Sequence, residues 1–313
     1  MQLSDRIGRR IKLHDIHVLM AVAQAGSMNK AAALLNTTQS AISRSIADLE
    51  SEIGAQLLDR TSQGVVPTAC GRALLDGGAV VFDDLRQTVK SIEFLTDPTA
   101  GELRIGSNPF LAASLVSAVV ERLSRRYPRI AFHVMAEQVD TLHRDLHERK
   151  VDLLIARKFG SLADEHLSFE FLFDDSFVVA AGARSPWARR RRIKLAELAD
   201  ELWTLPAGGE IASVARAAFR VHGLDYPCVT MATEFREARM NLLATGRFLT
   251  IFPASSLRFS TRLQEIKVLP VELSKVRMPI GIFTLKSRTL SPVAQLFLDC
   301  VREVAKPLAN QAR

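Results

Sequence analysis

The sequence predicts an α/β multidomain protein with a mainly helical N-terminal winged helix-turn-helix, a long connecting helix and a larger C-terminal α/β domain. Its 313 residues exceed the length of one average domain. Two short helical patterns separated by a polar turn precede a hairpin pattern within the first 67 residues. Between residues 102 and 156, strand patterns alternate with helical ones in the order βαβαβ. Two or more compact units joined by a linker therefore account for the sequence.

Composition places the chain among globular proteins. Hydrophobic residues make up 48% and charged residues 24%, which argues against disorder and against a coiled-coil rod. The first ten residues lack the apolar core of a secretory signal, and the apolar run Leu111–Val120 is too short to cross a bilayer. Cys70, Cys228 and Cys300 are widely separated and suit reduced thiols better than a disulfide framework, with a redox-sensing pair left open. A cytoplasmic protein with no membrane partner is expected.

The net charge of +7 does not locate a nucleic-acid-binding region. Residues 1–98 contain 10 Lys and Arg against 11 Asp and Glu, whereas the remainder contains 31 against 23. The positive excess therefore lies outside the predicted helix-turn-helix. Motifs, and not bulk charge, must identify a DNA-binding surface.

Three helices are predicted near the N-terminus from apolar residues at helical spacing. Gly26 ends the first, Ser27 stands at the N-cap of the second, and Gly54 ends the third. The predicted bounds are Leu13–Ala25, Met28–Leu35 and Gln39–Ile53, with a polar turn at residues 36–38 before the third helix. Helix, tight turn and helix form the frame of a helix-turn-helix.

The third helix has two different faces when it is projected at about 100° per residue. One face is apolar and consists of Ile42, Ile46, Leu49 and Ile53. The other is small and polar and consists of Ser40, Ser43, Arg44 and Ala47. Such a face lets the helix backbone enter a major groove while Gln39 and Arg44 reach base edges. A solvated amphipathic helix is the alternative for this element taken alone.

A hairpin wing and a long helix follow. Residues 60–68 combine a glycine turn with β-branched residues, and Thr68 can cap a helix that runs to about Leu95. Positions 74, 78, 81, 85, 88, 92 and 95 of this helix alternate steps of four and three, and all but Gly78 and Thr88 are apolar. The candidate dimerisation residues are Leu74, Val81, Leu85, Ile92 and Leu95. A single helix lying on its own domain would give the same spacing.

These residues together resemble the LysR-type transcriptional regulators. The resemblance is carried by Gly26, Ser27, Ala31, Ala32, Leu35, Gln39, Ser40, Ala41, Ile42, Ser43, Arg44, Ile46, Leu49, Glu50, Ile53, Gly54, Leu57, Arg60, Val65, Thr68 and Gly71. Leu58, Cys70 and Met28 depart from the family pattern at packing positions. The resemblance extends over nearly the whole chain.

The resemblance implies a regulator that binds double-stranded DNA as a dimer or tetramer and contacts RNA polymerase. It implies a winged helix-turn-helix at 1–67, a linker and dimerisation helix at 68–98, and an effector-binding domain at 99–313. The DNA-binding residues that it implies are Ser27, Thr38, Gln39, Ser40, Ser43, Arg44, Arg60, Thr61 and Thr68.

The C-terminal domain is predicted to have two lobes with a periplasmic-binding-protein-like fold. After a turn-rich linker at 97–101, strands at Glu102–Gly106, Ile130–Ala136 and Val151–Ala156 alternate with helices, which implies a parallel sheet. The resemblance implies that the chain crosses to a second lobe near Asp174 and Asp175 and returns near Pro279. Lobe 1 then covers about 102–174 and 280–313, and lobe 2 about 175–279. Such domains bind small ligands between the lobes, beyond the carboxyl ends of the strands.

Candidate effector contacts lie where strands begin or end. They are Ser107, Asn108, Pro109, Glu137, Gln138, Thr233, Glu234, Phe248 and Thr250. The helix that starts after Ser107 offers free N–H groups, so a small organic metabolite with an anionic group is expected. The alternative is a purely local role, in which Ser107 caps its helix and Glu234 only occupies a first turn.

No constellation of catalytic residues, metal ligands or cofactor-binding residues is legible, so neither an enzyme nor a cofactor is expected. His143 and His147 lie four residues apart, but the Glu of a zinc protease helix is missing between them, and solvated side chains are expected. The run Arg189–Arg192 is expected to be a solvated loop. A small-molecule-binding module with assembly helices is the rival class. It would place apolar residues where Ser40, Ser43 and Arg44 stand.

Overall fold

The computed structural model describes residues 7–61, 64–158, 164–259, 263–273 and 277–309, with the backbone alone for Arg60, Glu210 and Leu263. The chain forms two compact units, Met1–Val89 and Lys90–Arg313. The long helix belongs to both, because it continues past the boundary between them. The division at 67/68 and 98/99 therefore stays a prediction.

The first unit is a helix-turn-helix with a wing. Its helices are α1 (Leu13–Ala25), α2 (Met28–Leu34), α3 (Gln39–Ile53) and the first part of α4 (Ala69–Thr96), and its strands are β1 (Leu58–Thr61) and β2 (Gly64–Pro67). Gly26 and Gly54 adopt left-handed backbone angles, with φ of 65° and 77°, and end α1 and α3 as predicted. The apolar face of α3 packs into the core through Ile42, Ile46 and Leu49.

The wing is an antiparallel hairpin that holds the start of α4. Strands β1 and β2 pair in register from Leu58 opposite Pro67. The hydroxyl of Thr68 accepts a 3.0 Å hydrogen bond from the amide of Gly71 and donates one of 2.8 Å to the carbonyl of Gln56. Thr68 thus caps α4, as its position in the sequence predicts.

The second unit begins with a five-stranded sheet. Its elements are β3 (Ala100–Ser107), α5 (Pro109–Leu111), a π-helical turn (Ala112–Val116), α6 (Ser117–Arg126), β4 (Arg129–Ala136), α7 (Val139–His147), β5 (Leu153–Arg157) and β6 (Leu167–Asp175). The strand order is β4-β3-β5-β12-β6, where β12 (Met278–Leu285) arrives from the end of the chain. Strands β3, β4 and β5 are parallel, as the βαβαβ pattern predicts. The last helix, α11 (Pro292–Ala309), packs with α6 on one face, and α7 covers the other.

A second five-stranded sheet forms the other lobe. Its elements are β7 (Phe177–Gly182), β8 (Leu202–Leu205), α8 (Gly209–Val221), β9 (Val229–Ala232), α9 (Arg236–Ala244), β10 (Phe248–Pro253), α10 (Ala254–Arg258) and β11 (Ile266–Val268). The strand order is β11-β7-β10-β8-β9. Helix α8 packs on one face, and α9 and α10 pack on the other.

Two segments connect the sheets. Strand β6 ends at Asp175 in the first sheet, and β7 begins two residues later in the second. The chain returns to the first sheet at Met278, where β12 pairs with Asp175 of β6. These crossings lie where the sequence predicts them, and they place the hinge beside the carboxyl ends of β5 and β10.

Candidate functional sites

The exposed face of α3 carries the residues predicted to read DNA. Gln39, Ser40, Arg44 and Ala47 are exposed, whereas Ser43 is half-buried. Ser43 and Ala47 border a cavity of about 480 Å³ between α3 and the wing. The free face is therefore polar and cationic near the start of the helix, which is the end that enters a major groove in proteins of this type.

The remaining candidates of the first unit surround this face. The Thr38 hydroxyl caps α3 by accepting a 3.2 Å hydrogen bond from the amide of Ala41. Ser27 stands at the N-cap of α2 without a capping bond from its side chain. Thr61 is exposed on the wing, where its hydroxyl donates to the carbonyl of Gly64. The side chain of Arg60 lies outside the described residues.

A cavity of about 330 Å³ lies between the two lobes of the second unit. It brings together four of the predicted effector residues, Asn108, Pro109, Gln138 and Glu234. The other lining residues are Phe110, Val139, Asp140, Arg157, Pro206, Gly208, Gly209 and Ile211. The wall thus combines apolar side chains with a few polar groups, as small-molecule sites do.

Five of the predicted effector residues do not line this cavity. Ser107 is fully buried, and its hydroxyl donates to the carbonyl of Ile155. Thr250 is also fully buried and donates to the carbonyl of Thr204. Phe248 lies opposite Leu202 at the start of β10, which is the end of the parallel strands away from the hinge. The remaining two, Glu137 and Thr233, lie beside lining residues. Direct effector contact by Ser107, Thr250 and Phe248 is therefore not proposed, whereas contact by Glu137 and Thr233 stays a prediction.

Helix N-termini meet at the cavity, although not through Ser107. Asn108 is the N-cap before Pro109, and its side chain accepts a 2.9 Å hydrogen bond from the amide of Leu111. Helices α7 and α8 begin after Gln138 and Gly208, and neither residue provides a capping side chain. The amide of Gly208 donates instead to the Glu234 carboxylate at 3.2 Å. Uncapped N–H groups favour a ligand that accepts hydrogen bonds.

Arg157, at the end of β5, is a lining residue that the sequence analysis missed. It is buried, and its Nη2 lies 3.8 Å from Oδ2 of the equally buried Asp175. Its guanidinium also lies 5.2 Å from the ring centroid of Phe177. Its position after the strand Val151–Ala156 was a usable signal, because residues that follow parallel strands border such clefts.

The candidate dimerisation residues of α4, here called the apolar seam, fall into two groups. Leu74 packs against the core of its own unit, and Ile16 lies where a Cβ on Gly78 would stand. The alternative of a helix lying on its own domain therefore holds for these first turns. Val81, Leu85, Ile92 and Leu95 are exposed, as are Val89 and Thr88. An exposed apolar row thus runs along the later turns.

The histidine and cysteine side chains that could bind a metal or carry redox chemistry are dispersed among the described residues. No group of three or more metal-binding side chains is present among the described residues. His143 packs 5.4 Å from Phe283, and burial lowers its pKa, so the expectation of a solvated side chain is wrong for this residue. All three cysteines are free thiols, and burial raises the pKa of Cys300. None of the helices in the described ranges is long and apolar enough to span a membrane.

A winged helix-turn-helix followed by a two-lobed α/β domain with an interlobe cavity defines a regulator with separate DNA-binding and ligand-binding parts. Two family models match the chain: the bacterial regulatory helix-turn-helix protein of the lysR family at residues 13–72, and the LysR substrate binding domain at residues 96–306. The chain belongs to the LysR family of bacterial transcriptional regulators.

Individual relatives match over almost the whole chain. The HTH-type transcriptional regulator GbpR of Azospirillum brasilense is 25% identical over 305 residues, which are 97% of this chain and 89% of GbpR. A full-length OxyR variant of Pseudomonas aeruginosa is similar in structure, with a TM-score of 0.65, 19% identity and coverage of 95% and 97%. Full-length CbnR complexed with its target DNA matches with a TM-score of 0.52, 22% identity and coverage of 94% and 100%.

Proposed function

We propose that this regulator reads DNA through the exposed face of α3 and changes its DNA engagement when a small metabolite occupies the interlobe cavity. The observation that carries the proposal is the cavity itself, where Asn108, Gln138, Arg157 and Glu234 converge on a space of about 330 Å³. The buried guanidinium of Arg157 and the uncapped N-termini of α7 and α8 favour a ligand with an anionic group.

On the DNA side, Gln39 and Arg44 contact base edges in this proposal. Ser27, Thr38, Ser40, Ser43, Arg60, Thr61 and Thr68 contact the backbone or position the helix. The solved CbnR complex with its target DNA supports duplex DNA as the partner. Dimerisation uses the exposed row Val81, Leu85, Ile92 and Leu95. The three-part division at 1–67, 68–98 and 99–313, with its two lobes, is retained within this proposal.

We further propose that the protein acts in the cytoplasm, forms dimers that pair into tetramers, contacts RNA polymerase and does not transform its ligand. The relative GbpR is a transcriptional regulator, which supports a ligand that is sensed and not transformed. Peroxide sensing through a cysteine pair is disfavoured for this chain. Cys70 is exposed on α4, Cys228 is exposed before β9, and Cys300 is buried in α11 beside the first sheet. A reactive thiol needs an accessible position with a lowered pKa, which Cys300 lacks.

The test begins with selection of bound sequences from a random duplex library by the full-length protein. The affinity for the selected site is then measured with and without a library of small metabolites. A Cβ at Gly208 meets no atom within 4 Å, so Gly208→Trp fills the cavity without a backbone clash. We expect this variant to bind the selected DNA normally and to lose the metabolite response. The exposed Ala183 provides the control variant Ala183→Trp, which should keep the response.

Two results would overturn the proposal. A metabolite response that survives Gly208→Trp would place the ligand elsewhere. Consumption of the ligand by the purified protein would make it an enzyme.

A further inference from the structure

Arg239, on α9, is the most deeply buried charge near the interlobe cavity. It has no exposed surface. Its Nε donates to the Thr250 hydroxyl at 3.2 Å, and its Nη2 donates to the carbonyl of Ile251 at 2.7 Å. The guanidinium lies 4.6 Å from the ring centroid of Phe252 and 5.8 Å from that of Phe110. Two of its three nitrogens are therefore held, between two aromatic rings.

The third nitrogen of Arg239 has no hydrogen-bond partner among the described residues. The same is true of the Thr204 hydroxyl, which is fully buried at the end of β8. Thr250 links the two residues, because it accepts from Arg239 and donates to the carbonyl of Thr204. An unmet buried donor is energetically costly, and more so when it is charged. Two unmet polar groups on residues that Thr250 links therefore call for a partner that the described side chains do not supply.

The charge of Arg239 persists at neutral pH. Burial, with a smaller contribution from Arg236, lowers its pKa to about 10, although Glu234 opposes the shift. A guanidinium with that pKa remains protonated in the cell. The unmet donor is thus cationic, and an anion is the partner that stabilises it most.

Phe110 contacts both the interlobe cavity and Arg239. Phe110 lies on α5 of lobe 1 and lines the cavity, and it packs against the core of lobe 2. Its ring also meets that of Phe252 at 6.4 Å. Phe110 is therefore a lining residue that also contacts the Arg239 guanidinium.

We propose that Arg239 and Thr204 form the carboxylate-binding end of the effector site, with Phe110 as the side chain that covers it. This inference rests on the proposed function and names the ligand class: a small monocarboxylic acid. One free guanidinium nitrogen and one hydroxyl suit the two oxygens of a carboxylate. A dianionic phosphate is disfavoured, because Glu234 and Asp140 line the same cavity and repel a second negative charge.

The experiment uses the full-length protein and a set of small aliphatic and aromatic monocarboxylates, each paired with its primary amide. Thermal unfolding at constant ionic strength identifies stabilising compounds, and calorimetry gives their affinities. We expect carboxylates to stabilise the protein more than their amides do. Arg239→Met should weaken carboxylate binding by about tenfold to a hundredfold and remove the preference over the amide, because a charge-assisted hydrogen bond is lost. Arg239→Lys should restore part of the preference.

Thr204→Val keeps the shape of the side chain, so it provides a second test of the carboxylate-binding end if Arg239→Met does not fold. It should retain the stability of the unliganded protein and weaken carboxylate binding several-fold. Thr230 is exposed on β9, and the control Thr230→Val should leave binding unchanged. Phe110→Ala should accelerate carboxylate association, because the covering ring is removed.

The negative outcomes separate the two proposals. Carboxylate binding that is unchanged in Arg239→Met and in Thr204→Val, but lost in Gly208→Trp, would overturn the carboxylate-binding end and leave the cavity as the effector site. Equal binding of acids and amides, or no stabilisation by any acid, would overturn the ligand class. Binding that is unchanged in Gly208→Trp would overturn the cavity itself.

Discussion

The carboxylate oxygen Oδ2 of Asp175 lies 3.8 Å from Nη2 of Arg157 at the first crossing between the lobes. Both side chains are buried, with 3% of each exposed. The same carboxylate accepts hydrogen bonds from the amide and hydroxyl of Ser255, at 3.0 and 2.6 Å. Ser255 lies on α10 of lobe 2, whereas Asp175 ends a strand of the first sheet. This carboxylate therefore fixes one side of the hinge and one wall residue of the cavity.

Asp175→Asn should destabilise the second unit by about 3 kcal/mol, because it removes the negative charge next to a buried guanidinium. Asp174→Asn changes the neighbouring residue in the same way and should cost about 0.5 kcal/mol or less. Urea unfolding of the full chain measures both. Equal effects of the two substitutions would show that the Arg157–Asp175 contact is not a stabilising element of the hinge.

The contact between α4 and the wing makes Gly71 intolerant of a side chain. A Cβ at this position would lie 2.0 Å from the carbonyl oxygen of Leu57. Gly71→Ala should therefore destabilise the first unit by about 1–3 kcal/mol, since backbone must move. Gly77 is on the same helix, and a Cβ there meets nothing within 4 Å. Gly77→Ala should stabilise by up to about 1 kcal/mol. Thermal unfolding followed by circular dichroism distinguishes the two, and a tolerated Gly71→Ala would contradict the close approach.

Arg44→Ala and Gln39→Ala should each reduce affinity for the selected DNA site by about 1–3 kcal/mol, because base-edge hydrogen bonds are lost. Ser43→Ala should weaken binding evenly across sequences, since a hydroxyl bonded to phosphate carries no sequence information. Fluorescence anisotropy on the selected and scrambled duplexes measures both effects. If the Arg44 and Gln39 variants still discriminate fully between the selected and scrambled duplexes, α3 does not carry the residues that read the DNA sequence.

The exposed row on α4 predicts that charge at Val81 and Leu85 separates dimers. These side chains are 42% and 44% exposed, and two glutamates at the paired seam repel their counterparts. The full-length double variant that carries Val81→Glu and Leu85→Glu should have half the molecular mass of the wild-type assembly. Sedimentation at micromolar concentration measures this mass. Asp76 is exposed on another face of the helix, so Asp76→Lys should leave the mass unchanged. A monomeric wild-type protein would be incompatible with the dimer seam.

His143 makes the stability of the first lobe depend on pH. Burial lowers its pKa below the ordinary value of 6.5, with a further decrease from His147 and opposing effects of Asp164 and Asp140. The unfolded chain therefore binds the proton more readily, and stability is lost as the pH falls below about 6.5. His143→Gln should flatten this loss in urea unfolding across pH 5 to 7. The exposed His133 supplies the control: His133→Gln should retain the wild-type slope.

Much of the helix-turn-helix could be predicted because its signals are local. The left-handed glycines at 26 and 54, the threonine caps at 38 and 68, and the apolar spacing of Ile42, Ile46 and Leu49 each act within a few residues. The crossings between the lobes could be placed because the resemblance to the family extends over nearly the whole chain. The dimerisation role of the apolar positions on α4 stays a prediction. Spacing alone does not reveal that Leu74 packs against its own unit.

Periodicity, caps and turns are encoded within short segments, so the order of the elements and the polar face of α3 can be predicted from the sequence alone. Which side chains meet at the cavity depends on contacts between segments that are far apart in the chain. Ser107 and Thr250 lie on strands beside it, yet their hydroxyls bond to neighbouring strands, because successive side chains of a strand point to opposite faces. Phe110 and Arg157 line the cavity from separate elements. They meet there only because the strand order places those elements side by side.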